Sequence, residues 1–315
     1  MTLLPIASTI SELRFNLRGP RFMLNLYESV RTNPSFNRLE IGDLLFAEYT
    51  CPVASAKLDH WAHSDFLVHV LTGKKIWHTV DGSWASEAGD TLFFRKGASI
   101  IEQFFDVDFC LFMFFIPDGL VKSTVRELAP NLDGLVPAEQ TSKSVARVEN
   151  DVQLTGFFES MRAYFSGREK PSEPVLRLKL KELIVSILTG RRNLGLAAYF
   201  HSVARSELPP VAELMEANFR YNLSLEDYAK LCHRSLSSFK RDFQHHFHEA
   251  PGRWLLRKRL DYAASLLHNS NMNVSEVAFE SGFENVSHFS RSFKERFKEP
   301  PNLYRVLSAP AVLSR

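Results

Sequence analysis

An internal repeat in the last hundred residues constrains this chain more than any other feature. Ser224-Leu-Glu-Asp227-Tyr-Ala229 matches Asn273-Val-Ser-Glu276-Val-Ala278, each a capping residue followed three positions later by an acid, then an apolar residue and an alanine. Both stretches read as helix starts. Further along, Phe239, Arg241, Phe243, Phe247 and Pro251 match Phe289, Arg291, Phe293, Phe297 and Pro301, every pair 50 positions apart, whereas the two capping residues stand 49 apart. One residue is therefore inserted in the turn between the two helices of the second copy. Two copies of a short helix-turn-helix unit account for this spacing.

Each copy makes physical sense as a reader of DNA. The small alanine lets a second helix cross closely, and that helix buries one aromatic face through Phe239, Phe243 and Phe247, or Phe289, Phe293 and Phe297. The opposite face carries Ser237, Lys240, Arg241 and Gln244 in the first copy, and Asn285, Ser287, His288 and Arg291 in the second. These side chains suit base edges and phosphates, arginine being able to bond guanine through two atoms at once. A polar face on one helix is ordinarily just a solvated face; its repetition at a fixed offset is what favours recognition. Between the copies, Ala250 to Ser270 predicts a long spacer helix with an apolar stripe of Trp254, Leu255, Leu260, Ala263, Ala264 and Leu267. The basic run Arg257-Lys258-Arg259 near its start could face DNA; the plainer readings are a solvated helix start or a set of intramolecular ion pairs with Glu249 or Asp261.

From Ser224 to Arg305 the sequence resembles the DNA-binding domain of the AraC/XylS transcriptional regulators. The resemblance is carried by A-x-x-x-G-F at Ala278 to Phe283, by F-x-R-x-F at Phe239 and at Phe289, by Arg259-Leu260 in the spacer, and by the closing Pro301-x-x-Tyr304-Arg305. It implies two helix-turn-helix units joined by a long helix, promoter DNA and RNA polymerase as partners, and activation of transcription. The base-facing positions it carries over are Ser237, Lys240 and Arg241, then Ser287, His288 and Arg291. Where the family often has glycine this chain has His233, His248 and Lys298, and since a left-handed backbone costs a non-glycine residue about 1 kcal/mol, these corners are expected to bend differently.

The first half has another character. Between Arg38 and Pro117, runs such as FLVHVL, KKIWHTV, TLFFR and DFCLFMFF alternate with turn signals, which predicts an antiparallel sandwich or barrel. Thr72-Gly73 and Asp81-Gly82 read as tight hairpins. Helical periodicity follows at Val152 to Ser166 and Val175 to Thr189. The expected organisation is therefore a β-barrel domain over 1–120, a helical dimerisation segment over 121–193, a linker over 194–207 and an all-α domain over 208–308. The barrel resembles the cupin-like regulatory domain of the same family, which implies an effector; its pocket would be lined from Trp77, Trp84, Phe93, Phe104 or Phe112. A subgroup that activates type III secretion genes has a similar barrel whose partner is a protein.

Composition excludes several other classes. With 315 residues and a net charge of +2, two cores are affordable in length and any basic surface must be local. Cys51, Cys110 and Cys232 lack metal or redox spacing, which suits a reducing cytoplasm. The opening MTLLPIASTISELRF has neither the basic start of a leader nor the length of a span. His60, His63, His69 and His78 lack the spacing of a metal-dependent cupin enzyme, and His245, His246 and His248 have no carboxylate or thiol at ligand spacing. No catalytic residue, metal or cofactor is expected, and the chain is read as a regulator, a homodimer and not an enzyme. The rivals are a metal-dependent cupin enzyme with a helical passenger, or a DNA-repair methyltransferase, for which the cysteines lack suitable neighbours.

Overall fold

The computed structural model describes residues 23–51, 57–104, 108–128, 143–167, 169–206 and 208–308. The reading of the opening residues as neither leader nor span falls on 1–22, outside the described residues. No described helix is long and apolar enough to cross a membrane. The chain divides into two compact units between Pro209 and Pro210.

The N-terminal unit runs through β1 (Leu24–Asn25), α1 (Leu26–Thr32), β2 (Asn37–Ile41), β3 (Leu44–Cys51), β4 (Lys57–Ala62), β5 (Asp65–Thr72), β6 (Lys74–Thr79), β7 (Gly82–Glu87), β8 (Thr91–Phe94), β9 (Gly97–Gln103), β10 (Phe109–Ile116), α2 (Asp118–Leu128), β11 (Val145–Val148), α3 (Val152–Ser166), α4 (Glu173–Thr189) and α5 (Leu194–Arg205). Its described strands form two sheets, ordered β1-β4-β9-β6-β7 and β11-β8-β5-β10-β3-β2. All described pairs are antiparallel except the short β1 with β4.

The six-stranded sheet is buried on both faces, which explains why β10 is apolar without alternation. Phe109, Leu111, Met113 and Phe115 enter the core shared with Trp77 and Ile101 of the other sheet. Phe112, Phe114 and Ile116 point the other way, into a core built with α2, α3, α4 and α5.

Asp81-Gly82 joins the paired strands β6 and β7 as expected. Thr72-Gly73 does not make a hairpin, because β5 and β6 lie in different sheets. Gly73 is instead the corner at which the chain changes sheet: its φ is 78°, and a Cβ there would sit 2.8 Å from the Asp108 carbonyl oxygen. The turn signal was sound, but pairing is decided by neighbours far along the chain.

The helical segment expected over 121–193 is not a separate body. Leu154, Phe157 and Met161 of α3 and Leu176, Leu180 and Ile184 of α4 bury against Phe46, Phe112 and Phe114. These stripes, read as more than the sheets need, are covered within their own unit, so the reason for assigning them to a dimer contact falls away. Residues 194–205, expected as linker, form α5, whose Leu196, Ala197 and Phe200 enter the same core. A buried polar network anchors α5: Asp65 accepts from the Tyr199 hydroxyl at 2.8 Å and from the Lys96 backbone at 2.8 Å, while Lys96 pairs with Asp118 at 2.6 Å.

The aromatic residues offered for an effector pocket are not brought together. Trp77 is buried between the sheets with Trp84 packed against that core, Phe93 and Phe112 lie in the opposite core, and Phe104 lies beneath the Lys74 ammonium at 5.1 Å. Alternation along each strand sends neighbours to opposite faces, so residues chosen by type alone are split.

Candidate nucleic-acid interface

The C-terminal unit comprises α6 (Val211–Asn218), α7 (Leu225–Leu231), α8 (Leu236–Phe247), α9 (Pro251–Asn269), α10 (Val274–Glu280), α11 (Val286–Phe297) and α12 (Pro301–Ser308). The repeat is visible bond by bond. Ser224 and Asn273 each close a capping box, with Asp227 and Glu276 respectively. In the first copy His233 N–H donates to the Lys230 carbonyl and Arg234 N–H to Ala229; in the second Gly282 donates to Phe279 and Phe283 to Ala278. The corners are therefore the same. His233, His248 and Lys298 all take positive φ, 52°, 56° and 68°, so the expectation that they would bend differently is not met. Helix-end hydrogen bonds outweigh a conformational cost of about 1 kcal/mol.

The inserted residue is Glu284, since Phe283 still follows the 49-residue offset and the next cap, Asn285, stands 50 after Ser235. The two copies brace the corner differently. Arg234 bonds Asp242 of α8 at 2.8 Å, whereas the corresponding Phe283 packs on Phe289 of α11 with ring centroids 5.1 Å apart.

Helices α8 and α11 present the faces that the repeat implies. Phe239, Phe243, Phe289 and Phe293 are buried, and Ser237, Lys240, Arg241, Gln244, Asn285, Ser287, His288 and Arg291 are all exposed. Four of these lie on α8 and its outer surface; the other four cluster at the start of α11. Asn285 carries a local duty that the residue types alone did not reveal, because its side-chain oxygen caps α11 by accepting from Ser287 and His288 N–H. A cleft of about 730 Å³ opens beside Asn285, His288 and Arg291 and runs to Ser224 and Arg259.

The packing after each aromatic helix is also duplicated. Pro251 and Pro301 begin α9 and α12, and Trp254 packs on Phe243 and Phe247 much as Tyr304 packs on Phe293 and Phe297. The spacer's basic run is engaged internally: Arg257 pairs with Glu249, Lys258 with Glu216 at 2.7 Å, and Arg259 with backbone carbonyls. Asp261 pairs instead with Arg296, at 2.6 Å.

This duplicated geometry has relatives. A helix-turn-helix domain profile matches residues 228–306, and the ExsA N-terminal regulatory domain profile matches residues 65–199. The chain thus carries an AraC-type helix-turn-helix domain behind a regulatory domain of the ExsA kind. It is a DNA-binding regulator of transcription. The virulence regulon transcriptional activator VirF of Yersinia enterocolitica is 23% identical over 84% of this chain and 96% of its own length. The transcriptional regulator ExsA of Pseudomonas aeruginosa is 20% identical over 75% of this chain and 84% of its own. Among solved structures, ToxT from Vibrio cholerae aligns with 84% of this chain and 99% of its own at 13% identity, with a TM-score of 0.39. Both long relatives are named as regulators of transcription.

Proposed function

We propose that this regulator is a cytoplasmic activator that places α8 and α11 in two successive major grooves of promoter DNA and engages RNA polymerase there. Ser237, Lys240, Arg241, Gln244, Asn285, Ser287, His288 and Arg291 are the DNA-contacting set in this reading. The observation that carries it is the pairing of two exposed polar helix faces, each backed by a buried aromatic face, through one continuous helix of 19 residues. At about 1.5 Å per residue that helix is about 28 Å long. Adding the bodies of the two copies approaches the roughly 34 Å between successive major grooves on one side of B-DNA. The N-terminal unit receives the effector, a small molecule or a protein, in keeping with its match to a regulatory domain.

Selection of binding sites from random DNA, followed by hydroxyl-radical footprinting with the full chain, tests this. Two protected stretches about one helical turn apart on one DNA face are expected. A single protected stretch, or binding with no sequence preference, would sink it.

A further inference from the structure

Arg259 of the spacer helix joins the two copies at one point. Its Nε donates to the Phe219 carbonyl at 2.8 Å and its Nη2 to the Tyr221 carbonyl at 2.7 Å, so one guanidinium fork grips the turn between α6 and α7. Beside it Arg220 donates to the Tyr262 hydroxyl of the same spacer at 2.9 Å. The corner of the second copy rests on this turn. A Cβ at Gly282 would lie 2.7 Å from the Arg220 carbonyl oxygen and 3.0 Å from Arg259 Nε.

Positive φ does not by itself explain that glycine, because His233 takes the same conformation at the equivalent corner. Close approach does. The inserted Glu284 adds a second tie, accepting from Asn222 Nδ2 at 2.5 Å. The residue that breaks the repeat's register is thus one that reaches back to the first copy.

We propose that Arg259, with Gly282 and the Asn222–Glu284 pair, is a positioning clamp that fixes α11 relative to α8 and so sets the half-site spacing the chain accepts. Fixing two weak readers in one geometry makes the second contact intramolecular, and the gain vanishes when the geometry is wrong. This rests on the two-groove reading above.

The test uses the full chain with a selected site, its two isolated half-sites, and full sites in which one or two base pairs are added or removed between the halves. Wild type should show a sharp spacing optimum. Arg259→Gln should lose about tenfold in full-site affinity at that optimum and flatten the spacing profile. Each half-site should stay within about twofold of wild type. Arg259→Lys keeps the charge but cannot make the fork, and should behave like Arg259→Gln. Glu284→Ala changes an exposed residue, leaves the core intact, and should show a smaller loss of the same kind, about two- to threefold.

Equal losses on half-sites and full site, or an Arg259→Lys variant matching wild type, would overturn the clamp and make Arg259 a phosphate contact. An unchanged spacing profile in both Arg259→Gln and Glu284→Ala would also overturn it. A wild-type chain that binds its full site no more tightly than one half would instead remove the two-groove reading, and the clamp with it.

Discussion

Arg291 and Asn285 lie six residues apart on the same exposed surface, yet their substitution should read out differently. Arg291→Ala should weaken specific binding by about 1 to 3 kcal/mol and relax preference at one base pair, if its guanidinium meets a base edge. Competition against a panel of single-base variants checks this; a uniform loss across the panel would assign Arg291 to phosphate. Asn285→Ala removes the cap on α11 and should cost about 1 kcal/mol of stability even without DNA, measured by thermal melting. In the other unit, His60 is fully buried against the Ser99 hydroxyl at 3.0 Å, and burial pushes its imidazole down to about 4. Its unfolded value is near 6.5, so below that pH the unfolded chain binds the extra proton. Stability from the neutral ring is complete above about pH 6.5 and drains away as pH falls toward 4, by up to about 3 kcal/mol. Melting curves from pH 7 to 4.5 should fall more steeply for wild type than for His60→Gln. Parallel curves would refute the assignment.

At the scale of elements, the helices that repeat were legible because their caps, aromatic spacing and prolines are local signals. α7 and α10 begin at the capping residues the sequence marks, and α3 starts at Val152 as its periodicity indicates. Phe293→Ala should cost about 3 to 5 kcal/mol of C-terminal-unit stability, since the ring is fully buried among Phe289, Phe297 and Tyr304. An unchanged melting temperature would contradict that core. What could not be read depended on distant partners. Gly73 carries a turn signal whether or not its flanking strands pair. LGLAAYFHSVAR has modest signals of its own and becomes a helix because Phe93 and the sheet offer a surface to bury on. Arg257, Lys258 and Arg259 look like any basic run until Glu249, Glu216 and two carbonyls are found beside them. Tyr199→Phe probes one such distant partnership. Losing the hydroxyl leaves one oxygen of the buried Asp65 carboxylate without its donor and should destabilise the N-terminal unit by about 1 to 3 kcal/mol.

For the whole molecule, each unit has its own core, so the C-terminal unit from Pro210 onward should fold alone and select the same DNA sequence as the full chain. The spacer is not a free rod, however. Trp254 packs on the first copy's aromatic helix, while Leu260, Ala263 and Leu267 belong to the second copy's core. Removing one turn of α9 should therefore lower the melting temperature as well as abolish binding to a full site. The likeness of α9 and α12 has a further consequence. Val306 of α12 stands where Leu256 stands in α9, and Leu256 is packed against the next copy, whereas Val306 is 70% exposed. The second copy thus leaves exposed the position through which the first packs against its neighbour. For a protein engineer, α12 is a splice point: continuing it with the sequence of α9, Arg259 included, and another copy would extend a two-word reader to three.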